Sequence, residues 1–252
     1  MKCNWPVPPA EIDLPAGEVH LWAARLDPPG DLLLHCASVL SEDEHRRAER
    51  FRFGPLRNRY IAGRGILRML LGRYLRTGPA SFSLSYQAHG KPELDPPWKA
   101  HGVEFNVSHS QELAVYAFTR GSEIGVDVEC IRAMPNAAEL LERFFSPEEV
   151  QQWHQVPAQR QLRAFFQGWT RKEAWLKAVG SGLSFPLNQF CVTLDDPARV
   201  LSIRGDTDEA ARWWLESCEP CDGYVAAAAM RGPAGAVRNW RFGESCYWHY
   251  VE

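Results

Sequence analysis

The sequence predicts an α+β protein built from two similar halves. Three observations carry that prediction. Residues 1–120 read in the order strand, helices, strands, and residues 121–252 read in the same order, without evident identity between them. Each half holds one long segment with helical spacing of its apolar positions, Leu56–Leu75 in the first and Gln159–Val179 in the second. Around these run short alternating or continuous apolar segments, the pattern of half-buried and fully buried strands. We therefore expect an N-terminal subdomain over 1–120 and a C-terminal subdomain over 121–252.

In chain order, residues 1–18 are Pro-rich and read as an extended lead-in. Val19–Ala24 is the first strand, and Pro28, Pro29 and Gly30 mark a turn. Ser41 followed by Glu44 is a capping box, so a helix begins near residue 42 and runs to Arg50. Gly54-Pro55 breaks it. In the next helix Tyr60, Gly63, Leu67, Leu70 and Tyr74 share a core-facing stripe. Arg57, Arg64 and Arg68 share another face, because offsets of seven and eleven residues nearly return to the starting angle. Ser81–Tyr86 alternates as an edge strand, and His89-Gly90-Lys91-Pro92 is a turn carrying a lysine. Val103–Ser110 is a strand running into a polar turn. Leu113–Thr119 is nearly continuous in apolar residues and should be buried on both faces.

Gly121-Ser122 leads into Ile124–Glu129. There Ile124, Val126 and Val128 share one strand face, and Gly125, Asp127 and Glu129 share the other. Two acids on one face repel, so they need a cation or a strong hydrogen-bond network to sit there ionised. Residues 131–140 read as irregular or lightly helical. Ser146-Pro147-Glu148-Glu149 is a helix start, with a cap, a first-position proline and acids at the positive end of the dipole. Pro157 ends that helix. The long helix that follows has the core stripe Phe165, Trp169, Leu176 and Val179 and stops at Gly180 and Gly182. Glu173 and Lys177 lie one turn apart on it. Taken alone they read as a surface ion pair worth tenths of a kcal/mol. Phe190–Leu194, Trp213–Glu216 and Tyr224–Met230 read as strands, and the segment after Arg231 receives no element.

Bulk properties exclude several classes. Hydrophobic content of 45% and charge of 23% fit a globular protein, and a net charge of −3 argues against a general nucleic-acid binder. No secretory leader opens the chain and no stretch is apolar enough to span a membrane, so we expect a cytoplasmic protein. The seven cysteines read as scattered reduced thiols used in packing. Residues 41–76 hold ten arginines against four acids, which reads as a solvated face or as an anion site that continues into a docking surface. The neighbours Ser108 and His109 invite a hydrolase reading, but no Gly-x-Ser-x-Gly elbow is present, and contact with phosphate is the better reading. The acids of Ile124–Glu129 with Glu173 and Lys177 suggest that these two stretches close around one divalent metal.

Taken together, Gly90-Lys91-Pro92, Phe105–Ser110, Ile124–Glu129, Phe144–Glu149, Trp169–Lys177 and the helix end Ala178–Leu183 resemble the 4′-phosphopantetheinyl transferases of the surfactin-synthetase-activating type. The order and spacing of these motifs over about a hundred residues carry the resemblance. It implies a pseudo-twofold monomer of two α/β subdomains with coenzyme A in the cleft between them. It implies transfer of the phosphopantetheine arm to a serine of an acyl, peptidyl or aryl carrier protein, with release of adenosine 3′,5′-bisphosphate. By matching position, Asp127, Glu129 and Glu173 would coordinate Mg²⁺, with Mn²⁺ as a substitute. Asp127, Glu173 and Lys177 would carry the chemistry. Lys177 and His109 would contact the pyrophosphate or 3′-phosphate, Lys91 and Ser108 the nucleotide end, and Arg47 and Arg64 a further phosphate. At Glu44 and Tyr60 some members of the family carry a lysine and a threonine that touch coenzyme A, so those contacts are lost or replaced here. The competing readings are a Mg²⁺-dependent phosphohydrolase acting on coenzyme A or a nucleotide, and a non-catalytic module that binds carrier proteins.

Overall fold

Alternation along four strands builds the architecture. In β1 (Glu18–Arg25), Trp22 and Ala24 face a helical layer while Val19, Leu21 and Ala23 face the opposite way. β5 (Leu113–Arg120) repeats the split, with Ala114, Tyr116 and Phe118 on the helical side and Leu113, Val115 and Ala117 on the other. In β6 (Ile124–Cys130), Ile124, Val126 and Val128 meet those residues, as do Ala226, Ala228 and Met230 of β10 (Tyr224–Arg231). The reverse face of β10 carries Ala227 and Ala229 toward a second helical layer. Two sheets therefore pack face to face, each covered on its outside by a 22-residue helix: α3 (Gly54–Leu75) in the first half and α6 (Ala158–Val179) in the second. The structure is a computed structural model and describes residues 3, 5–87, 90–180 and 185–243. His89 of the predicted turn and Ser181–Leu183 at the predicted helix end lie outside these residues.

The remaining elements confirm the α+β class and the repeat of element order. After β1 come α1 (Gly30–Ser38), α2 (Glu42–Glu49) and α3, then the pair β2 (Leu84–Tyr86) and β3 (Pro92–Leu94), then β4 (Val103–Ser110) and β5. After β6 come α4 (Ala137–Phe144), α5 (Pro147–Gln155) and α6, then the pair β7 (Phe190–Val192) and β8 (Val200–Ile203), a short α7 (Thr207–Ala210), β9 (Trp213–Cys218) and β10. In space the strands run β1-β5-β4 in one sheet and β6-β10-β9 in the other, which is one topology used twice. β11 (Ala236–Arg241) adds a strand that pairs in parallel with β1.

A buried ion pair recurs at the same place in both halves. Glu44 caps α2 by accepting from the Ser41 N–H and meets Arg68 of α3 at 2.5 Å. Glu149 caps α5 by accepting from the Ser146 N–H and meets Lys172 of α6 at 2.8 Å, with both side chains fully buried. The capping box thus ties each short helix to its long one. It also corrects one expectation. Arg68 is 1% exposed and donates to the carbonyls of Pro79 and Phe82, so it is structural and belongs to no docking face. Val179 departs as well: it ends the predicted core stripe but is 39% exposed, because α6 turns clear of the core at its last residue.

Candidate active site

The site forms where the second sheet's edge strand passes beneath α6. Gly125 sets the separation. A Cβ at that position would lie 2.0 Å from the Ala174 carbonyl oxygen and 2.3 Å from the Ala178 nitrogen, so only glycine lets strand and helix approach this closely. The next residues on that face are Asp127 and Glu129, and the helix brings Glu173 and Lys177 over them. The Lys177 ammonium donates to Asp127 Oδ1 at 2.6 Å, to Ser108 Oγ at 3.0 Å and to the Val126 carbonyl at 3.2 Å. It therefore spans strand and helix instead of closing an ion pair with Glu173 along its own helix.

β4 completes the site from the first half. Asn106, Ser108 and Ser110 share one face, and all three reach β6. Asn106 Oδ1 accepts from the Val126 N–H at 2.9 Å, and Ser108 Oγ donates to Asp127 Oδ1 at 2.8 Å. Ser110 Oγ donates to Glu129 Oε2 at 2.7 Å and accepts from the Cys130 N–H at 3.2 Å. Polar side chains thus stand in for a backbone ladder between the two sheets, and they fix both carboxylates of β6. Arg132 adds a contact to Glu129 Oε2 at 3.3 Å.

Electrostatics place the acids together. Burial raises the Glu173 carboxyl above the usual carboxylate range, and the Asp127 charge beside it pushes the same way. Protein packed around the His109 ring and the nearby Lys177 ammonium pull its imidazole below the ordinary value. Asp127 Oδ2 is buried with no hydrogen-bond partner among the described residues, an orphan oxygen in a carboxylate-lined place. No group of three or more acid, histidine or cysteine side chains among the described residues is drawn into a metal-holding cage. The oxygens present are nonetheless hard carboxylate donors of the kind Mg²⁺ takes alongside water and phosphate oxygens.

Two adjoining clefts lie beside this network, and the smaller reaches it directly. One, of about 300 Å³, is lined by Lys91, Asn106, Glu173 and Lys177. The other, of about 580 Å³, is lined by Arg47, Tyr60, Arg64 and His109, and both share Gly90, Pro92 and Val107. Lys91 donates to Glu123 at 2.5 Å and to the Ile124 carbonyl at 3.2 Å, so it also anchors the start of β6. In the larger cleft the Arg47 guanidinium lies 5.8 Å from the ring centres of Tyr60 and Tyr86, and Arg64 lies 5.5 Å from Tyr86. Glu44, where other sequences were expected to offer a lysine, lies 3.5 Å from Arg64. The predicted residues therefore fall into two groups: Asp127, Glu129, Glu173, Lys177, Ser108 and Lys91 at the seam, and Arg47, Arg64 and His109 along the larger cleft. Sequence reasoning gave no role to Asn106, Ser110 or Tyr86. The period-two polar face of β4 was the signal for the first two.

The site thus joins two β/α halves through a polar seam, with Glu173 and Lys177 lining one cleft and Arg47 and Arg64 the adjoining one. Residues 123–229 match the 4′-phosphopantetheinyl transferase superfamily, and residues 25–120 match the 4′-phosphopantetheinyl transferase N-terminal family. The 4′-phosphopantetheinyl transferase HetI of Nostoc sp. is 38% identical over 243 residues, covering 96% of this chain and 100% of that protein. The 4′-phosphopantetheinyl transferase Sfp of Bacillus subtilis is 28% identical over 196 residues, covering 78% of this chain and 84% of its own. A solved holo-[acyl-carrier-protein] synthase of Thermotoga maritima overlaps 44% of this chain and 63% of its own, with 18% identity and a TM-score of 0.35. The chain belongs to the 4′-phosphopantetheinyl transferase family. Among the described residues no helix is long and apolar enough to cross a membrane.

Proposed function

We propose that the seam between the subdomains 1–120 and 121–252 is where this transferase moves the phosphopantetheine arm of coenzyme A onto a carrier-protein serine. The observation that supports this reading is the convergence of Asp127, Lys177 and Ser108 beside an orphan carboxylate oxygen, with Glu173 and Lys177 lining a cleft that also holds Lys91 and adjoins the one lined by Arg47 and Arg64. The carrier serine oxygen attacks the β-phosphorus. The bond from that phosphorus to the bridging oxygen breaks, and adenosine 3′,5′-bisphosphate leaves with the electron pair. Lys177 would offset charge on the leaving phosphate. His109, Arg47 and Arg64 hold the remaining phosphate, and Lys91 and Ser108 orient the nucleotide end. Asp127, Glu129 and Glu173 would hold Mg²⁺, which supplies charge neutralisation at the pyrophosphate when bound.

Glu173 has two available roles, metal ligand and acceptor of the serine proton. Glu173→Gln separates them: if it is the base, the loading rate falls by about 10²-fold or more while Mg²⁺ affinity changes little. If it is only a ligand, excess Mg²⁺ restores the rate.

The partner is a carrier domain with an acidic helix near its serine. The corner between α2 and α3 fits it: exposed Arg50, Arg52 and Arg57 flank in sequence Phe53 and Leu56, which are 69% and 47% exposed. Phosphate release from coenzyme A and Mg²⁺ without any carrier would instead favour the hydrolase reading.

A further inference from the structure

The Pro-rich lead-in is a strap across both halves. Trp5 is buried in the core between the sheets, the Pro6 carbonyl accepts from the Arg241 N–H of β11 at 2.9 Å, and Arg73 of α3 donates to the carbonyls of Pro9 and Ala10. The far end of the strap lies on the second half, where Cys3 pairs as an antiparallel bridge with Cys221 in the turn between β9 and β10. That turn reads Cys218-Glu219-Pro220-Cys221, a C-x-x-C spacing that the reading of scattered cysteines overlooked. Residues opposed in an antiparallel pair have Cα atoms about 4.5–5.5 Å apart, inside the range a disulfide spans.

We propose that Cys3 and Cys221 are a redox-modification site, with Cys3 the peroxide-reactive thiol and Cys221 its resolving partner. In the first step the Cys3 thiolate attacks one oxygen of hydrogen peroxide, the O–O bond breaks, and with one proton taken up by the leaving hydroxide the products are a sulfenic acid and water. In the second the Cys221 sulfur attacks the sulfenic sulfur, a second water leaves, and the disulfide forms. The thiol pair loses two electrons and the peroxide gains them.

The surroundings divide the roles. Cys3 is partly open to solvent, whereas Cys221 is 1% exposed. The Cys221 thiol donates to Cys3, and the Trp5 backbone N–H and the Arg241 charge add to the effect, so the Cys3 thiol falls to about 6. A low-pKa accessible thiol beside a resolving thiol is the arrangement redox-sensitive cysteines use. Burial acts the other way on three other thiols: it pushes Cys36 up to about 12 and raises Cys191 and Cys218. Closing the disulfide pins the strap to the second half and so ties the halves together from outside the site.

The test uses the full-length reduced chain and hydrogen peroxide near stoichiometry, under conditions where circular dichroism is unchanged. Thiols are then alkylated and peptides mapped by mass spectrometry. The expected result is a Cys3–Cys221 cross-link ahead of any oxidation at Cys36 or Cys191. In C221S the same treatment should leave a dimedone-reactive sulfenic acid on Cys3, and in C3S Cys221 should stay reduced. Alkylation of Cys3 should be half-maximal near pH 6, and the cross-linked chain should melt at a higher temperature than the reduced one. A predominant Cys218–Cys221 link, a Cys3 midpoint above pH 8, or equal sulfenic yields in wild type and C221S would overturn the proposal. None of these readouts depends on transferase activity.

Discussion

Gly125→Ala perturbs the site without touching a reacting group. The added Cβ would sit 2.0 Å from the Ala174 oxygen and 2.3 Å from the Ala178 nitrogen, both backbone atoms of α6 that cannot rotate aside. Ordinary contact needs about 3.5 Å, so helix and strand must part by roughly 1 Å or more. Overpacking of this kind costs about 1–3 kcal/mol, which for a chain of this size lowers Tm by about 3–10 °C. The catalytic effect should be larger. Lys177 and Glu173 ride on α6 while Asp127 and Glu129 ride on β6, so the same movement opens the 2.6 Å Lys177–Asp127 contact. A displacement near 1 Å at a site that works by positioning costs on the order of 10²-fold in kcat. The assay is initial-rate loading of a carrier domain, followed by intact-protein mass spectrometry beside a thermal melt. Gly65→Ala is the control, because its Cβ would meet Cys36 Cα at 2.5 Å between α1 and α3, away from the acids. It should lower Tm comparably and kcat far less. Wild-type kcat in Gly125→Ala, or an equal loss in Gly65→Ala, would refute the reasoning.

Three further outcomes follow from particular contacts. Lys172→Met leaves Glu149 buried without its cation and should cost about 3–5 kcal/mol in urea unfolding, while adding Glu149→Gln should recover at least half; no recovery would show that charge pairing is not what Lys172 supplies. His20 is buried between Tyr74 and Glu18, and burial holds its pKa below 6.5. The unfolded chain therefore binds more protons in that window, so stability is lost as pH falls from about 6.5 toward the lowered folded value. His20→Gln should flatten that part of the Tm–pH profile, and an unchanged slope would refute the assignment. Reversing Arg52 and Arg57 to Glu should raise the carrier KM by about tenfold, with the KM for coenzyme A unchanged and the salt dependence reduced. Equal carrier KM in the variant would place docking elsewhere.

What was legible follows burial. Ile124–Glu129 could be read because one face is buried in the core between the sheets, so alternation assigns every side chain. β5 could be read because it is buried on both faces, and the helix starts at Ser41 and Ser146 because their capping chemistry is local. Long-range features were not legible. β11 pairs with β1 from the opposite end of the chain, and nothing in its local pattern names that partner. α1 hid behind Pro28-Pro29-Gly30, which reads as a turn but stands at the helix start, where proline is tolerated. Helical spacing placed Arg57, Arg64 and Arg68 on one face, yet only the structure shows Glu44 drawing Arg68 inward. At the site, the facing of Asp127 and Glu129 was readable, whereas the cross-seam bonds from Asn106 and Ser110 required the meeting of two sheets.

The most direct measurement is the intact mass of a panel of acyl, peptidyl and aryl carrier domains after incubation with this protein, coenzyme A and Mg²⁺. The account predicts that at least one carrier gains the mass of a single phosphopantetheine arm on its serine, with adenosine 3′,5′-bisphosphate formed in equal amount. It predicts that Lys177→Met or a chelator suppresses the gain. Breakdown of coenzyme A at the same rate without any carrier, or an unchanged mass across the whole panel, would contradict it.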